Sequence, residues 1–214
     1  MPNNLNEKLE NLEGLTDGHL KFCMAMLQAD DCKMFPVDIL AAATIKRSLA
    51  LIQAFTTLVR LKNYTTAASI LRLQLDSCLR LSAAFLVDKP HDLASDVLAG
   101  KPVRKMKDRN GKLMHDRYLV ESLSSRFEWA PRVYDATSGF IHLSEKHLLS
   151  VFESSEKENC SELRVAADDE NVPEELWLEL VDGFGAATEA LFEYLHGWAY
   201  AKANPELVAN MKEE

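Results

Sequence analysis

Two stretches of helical period, joined by only Asn63-Tyr64-Thr65, constrain this chain more than any other feature. Leu40, Ile45, Leu49, Ile52, Phe55 and Val59 form an apolar stripe broad enough for a core helix from about Val37 to Lys62. Pro36 suits its first turn, because proline lacks only an N–H that has no partner there. A second long helix is expected from about Thr66 to Val87, and a connection this short makes the pair an antiparallel hairpin.

A third stripe, Trp177, Leu180, Val181, Phe184, Thr188, Leu191, Leu195 and Trp198, runs between Pro173 and Asn204-Pro205. Near the start, residues 5 to 13 and 16 to 30 read as two helical runs broken at Glu13-Gly14. Shorter helices fit His91 to Ala99, Tyr118 to Phe127, Pro131 to Phe140, and residues 143 to 154. Asn110-Gly111 is a turn dipeptide whose flanks, VRKMKD and KLMHD, leave room for one small β-hairpin, although a loop suits them better. Otherwise only Glu162 to Val165 alternates like a strand. The expected fold is all-α, a helical bundle of about four long helices with short accessory helices. It forms a single domain over residues 1 to 203, with an acidic, frayed tail from 204 to 214.

A chain of 214 residues, 47% of them hydrophobic, buries roughly 70% of its unfolded surface and needs no metal or disulfide to hold it together. Cys23, Cys32, Cys78 and Cys160 are scattered without metal-ligand spacing and read as reduced thiols. Lys46, Arg47, Arg60, Arg72 and Asp76 interrupt the longest apolar runs, and MPNNLNEKLENLEG is polar and acidic where a leader would be basic and then apolar. These features lead us to expect a cytoplasmic protein with no membrane partner.

The net charge of −9 is unevenly spread: residues 153 to 214 hold 4 basic and 16 acidic side chains, and the rest of the chain is slightly basic. Lys101 to Arg117 is a basic stretch (Lys101, Arg104, Lys105, Lys107, Arg109, Lys112 and Arg117) that fits phosphates or simply a solvated loop.

Candidate chemistry lies on polar residues spaced four apart inside apolar helices. Tyr134, Ser138 and His142 fall at i, i+4 and i+8, and Arg72, Asp76 and Arg80 repeat the spacing among leucines. Each trio is expected to form one ridge, and a polar ridge among apolar faces must be paired, wet or functional. A phenol, a hydroxyl and an imidazole can move protons or hold a polar ligand, or they can tie helices through backbone carbonyls. Two arginines around one aspartate leave a positive surplus suited to phosphate unless the ladder is merely structural. Thr137-Ser138-Gly139 is no nucleophile elbow. His142 and His147 do not share a helical face, no H-E-x-x-H occurs, and the glycine patterns of nucleotide-binding loops are missing. No metal and no cofactor is expected.

YDATSGFIHLSEKHLL, together with NGKLMHDRYLVESL and the later LFEYLHGWAY, resembles a group of uncharacterised bacterial all-helical proteins. That group carries a Y-x3-S-x3-H element behind a long helical hairpin. The resemblance spans about Thr44 to Tyr200, implies an all-α fold, and singles out Tyr134, Ser138 and His142 without implying a substrate. Arg109 and His115, with Asn110 following the arginine, are similar to the R-x(4–6)-H motif of HEPN-type helical ribonucleases of bacterial toxin and antiphage systems. This similarity implies phosphate binding by Arg109 and RNA cleavage at His115, with Asp76 or Arg80 completing the site.

The leading expectation is a polar pocket, where Arg72, Asp76 and Arg80 face Tyr134, Ser138 and His142, that binds a small anionic or nucleotide-like ligand. The alternatives are a HEPN-like ribonuclease with RNA as partner and an acidic protein–protein interaction module. An apolar helix face is available for a homodimer.

Overall fold

The computed structural model describes residues 3–153 and 162–206. Helix makes up 72% of it, in eight α-helices, and the fold is an all-α bundle. Four helices are long: α1 (Asn3–Gln28), α2 (Pro36–Arg60), α3 (Tyr64–Ser82) and α8 (Glu174–Ala203). Between α3 and α8 come α4 (Pro90–Leu98), α5 (Asp116–Ser124), α6 (Ala130–Ser138) and α7 (Glu145–Leu149). Helix α3 is central, packing against α2, α8, α5 and α6.

The α2–α3 hairpin closes as its turn sequence requires. Asn63 accepts the Thr66 N–H as N-cap, and Lys62 takes the left-handed conformation (φ +54°) that reverses the chain. Further along, Asp169 accepts the Thr65 N–H and donates its own N–H to the Lys62 carbonyl, which moors the segment before α8 to this turn. By length and composition α2 could cross a membrane. Here it packs against α1, α3 and α4, burying Ala41, Ile45, Ile52, Phe55 and Val59 and leaving Lys46 and Arg47 exposed.

Phe55 of α2 stacks on Phe184 of α8, with centroids 4.1 Å apart and both rings fully buried. Beside them the Gln74 amide donates to the hydroxyls of Ser48 and Thr188, at 2.7 and 2.9 Å, linking α3 to α2 and α8 inside the core. Gly183 lets α8 approach α3: a Cβ there would lie 3.2 Å from Leu71 Cδ2.

The structure differs from the sequence reading in two places. Helix α1 is continuous through Glu13-Gly14, because Leu5, Leu9, Leu12 and Met26 bury along one face and the packing outweighs the roughly 1 kcal/mol that a helical glycine costs. Helix α7 stops at Leu149, and Phe152–Glu153 instead pairs antiparallel with Glu162–Leu163. At Asn110-Gly111 only a single bridge, Lys107 to Leu113, forms. There the Asp108 carboxylate accepts the N–H groups of Asn110 and Lys112 and the Tyr118 hydroxyl, so the segment is a tied loop. The acidic tail beyond Glu206, like Cys160, lies outside the described residues.

His19 of α1 is 6% exposed, stacks on Phe192 at 3.7 Å, and its Nδ1 has no partner. Burial pushes its imidazole down from the usual 6.5 to about 4. The unfolded chain therefore binds this proton first, and stability is lost as pH falls through the window from 6.5 to 4. We expect this group to remove up to about 3 kcal/mol over that window. Urea titrations of wild type and His19→Phe at pH 7 and pH 4 check this, since the variant lacks that part of the pH dependence.

Candidate functional site

Helix α3 carries Arg72, Asp76 and Arg80 on the face that meets α5 and α6. Opposite stands α6, a short helix whose end explains the site. Its last carbonyls are taken by side chains: Ser138 Oγ donates to Tyr134, Lys146 Nζ to Ala136 and Ser144 Oγ to Gly139. Ser69 Oγ of α3 donates to the Phe140 carbonyl at 2.7 Å and fastens the following turn to the hairpin. His142 therefore does not continue the helical ridge of Tyr134 and Ser138, as its spacing suggested. It sits in the turn beyond and still reaches the same cleft.

That cleft, of about 460 Å³, brings Arg72 and Asp76 together with Tyr134, Ser138 and His142. Arg72 is 8% exposed and lies over the Tyr134 ring, its Cζ 4.1 Å from the centroid. Its only carboxylate contact among the described residues is to Asp116 at 3.5 Å. Arg80 is bound more firmly, by Asp76 at 2.8 Å and Asp116 at 2.5 Å, and it stands beside the cleft. Burial disfavours the charge of Arg80, but the two carboxylates more than offset this and hold its guanidinium more firmly protonated than usual. Arg47 of α2 reaches Asp76 at 3.6 Å. Three guanidiniums thus share two carboxylates, which leaves one positive charge beside a tyrosine, a serine and an exposed histidine.

The spacing argument missed Asp116 and Arg47. Asp116 opens α5, where the helix N-terminus favours a carboxylate, and it lies among the basic residues of 101–117 rather than at a four-residue spacing from either ridge. No single-segment pattern links Arg47 to Asp76, which lies on the next helix.

Arg109 and His115 are elsewhere and work on the backbone. The Arg109 guanidinium donates to the carbonyls of Phe85, Leu86 and Val87 just after α3. His115 is the N-cap of α5, its Nδ1 accepting the Tyr118 N–H. Elsewhere in the basic stretch, Lys101 pairs with Asp96 and Arg117 with Glu121 and Asp135.

No family model, curated protein or solved structure matches this chain.

Proposed function

We propose that the cleft between α3 and α6 binds a small anionic ligand, phosphate-bearing and nucleotide-like. The observation that carries this reading is Arg72: nearly buried, held flat by Tyr134, and only loosely paired with Asp116 at 3.5 Å. A guanidinium so placed has its direction fixed and much of its desolvation already incurred, so an incoming oxyanion meets a preorganised donor. Ser138 and His142 supply hydrogen-bond groups on the opposite side, and Tyr134 gives an aromatic face to a base or ring.

Thermal melting with inorganic phosphate and a nucleoside monophosphate tests the proposal. The expected result is a saturable rise in Tm that is larger for the nucleotide, lost in Arg72→Ala and weakened in His142→Ala, whose parent side chain is exposed. Asp116→Asn is expected to strengthen binding, by about tenfold, because it removes one of the two charges competing for the arginines. A Tm that does not respond, or that responds equally in Arg72→Ala, overturns the proposal.

The ribonuclease reading keeps its separate test, RNA cleavage lost in His115→Ala. The geometry adds no weight to it, because both motif side chains are engaged with backbone groups.

A further inference from the structure

A second and larger cavity, about 740 Å³, lies between α3, α6 and α8 on the other side of α6 from the anion cleft. The small residues Ala68 and Ala186 leave the space, Gly183 lies at its floor against Leu71, and the rings of Tyr64, Trp129 and Phe140 frame it. Its size falls within the usual range for small-molecule sites, and mainly apolar walls with a few polar groups are what such sites show.

The charges at its edge narrow the class of occupant. Asp182 is neutralised by Lys8 at 2.5 Å. Lys146 has no carboxylate partner among the described residues; its ammonium lies 4.8 Å from the Phe140 centroid and donates to the Ala136 carbonyl. Arg132 and Glu179 have no ion pair among the described residues, and the Trp129 indole N–H and Tyr64 hydroxyl have no hydrogen-bond partner there. Two unbalanced cations on the α6–α7 side thus face one unbalanced carboxylate on α8. The cavity has an apolar body, a cationic edge and two neutral donors.

We propose that this cavity is a binding site for an apolar monocarboxylate, with its chain or ring among Leu71, Val133 and Leu180 and its carboxylate toward Arg132 and Lys146. The site is separate from the Arg72 cleft and does not depend on what that cleft binds.

Decanoate, decanol and decylamine titrated into the full chain, followed by melting and tryptophan fluorescence, test this. Decanoate is expected to bind saturably, about tenfold more tightly than decanol, and decylamine no better than decanol. Arg132→Ala, at an exposed position, is expected to reduce decanoate to the level of decanol. Ala186→Phe, which sets a ring into the cavity, is expected to weaken binding of all three and leave the phosphate response of the Arg72 cleft intact. If Ala186→Phe does not fold, Arg132→Ala alone decides. The proposal fails if no probe binds saturably, if decylamine binds tightest, if Ala186→Phe folds and binds as before, or if Arg132→Ala leaves the preference for decanoate over decanol unchanged.

Discussion

Asp38→Ala lowers the free energy of unfolding by about 3–5 kcal/mol, the cost of stranding a buried charge. Asp38 and Lys202 form an ion pair at 3.0 Å in which both side chains are fully buried. The carboxylate also accepts the Trp198 indole N–H at 2.8 Å and the Phe35 N–H at 2.8 Å, and the ammonium donates to the Leu27 carbonyl at 3.3 Å. One carboxylate therefore ties the start of α2 to the end of α8, while Lys202 reaches back to the end of α1. Removing it leaves the buried ammonium and two partly buried N–H donors without this acceptor, and such groups cost far more unpaired than a paired one contributes. The double variant Asp38→Leu/Lys202→Met is expected to regain much of the loss, because a buried pair replaced by apolar groups is often neutral. Urea unfolding of the two variants checks this. A single variant as stable as wild type contradicts it.

Phe184→Ala is expected to cost a similar amount, about 3–5 kcal/mol, and to lower Tm by on the order of 10 °C. The ring is fully buried, stacked on Phe55 at 4.1 Å with the planes 14° apart. Truncation loses its transfer free energy and opens a cavity between α2 and α8 that the close-packed core cannot collapse to fill. Phe184→Leu retains most of the volume and should lose clearly less. Equal losses for the two variants would mean that shape, not burial, sets the cost at this position.

How much of this was legible in the sequence follows from the range of each interaction. The α2–α3 hairpin and α8 could be read because period and capping are local, and Asn63 does cap as its residue type suggests. Tyr134 and Ser138 could be placed on one face of a helix because four-residue spacing fixes that face, whereas its meeting with Arg72 and Asp76 depends on how α6 packs on α3. The path to His142 could not be read, since the end of α6 is set by hydroxyls of Ser144 and Ser69 from outside the helix. Gly14 looked like a break because its local cost is visible and the burial that outweighs it is not. The larger cavity left no trace in any one segment. Its lining comes from Ala68 on α3 and from Gly183 and Ala186 on α8, which meet only once those two helices pack.

The central claim is that an anion docks on Arg72 between α3 and α6, and side-chain NMR during a phosphate titration tests it most directly. The account predicts saturable shifts at the Arg72 guanidinium, the His142 imidazole and the Tyr134 ring, with the Arg109 and His115 resonances unmoved. Shifts confined to Arg109, His115 and the 101–117 loop, or none at Arg72 at saturating phosphate, would contradict it.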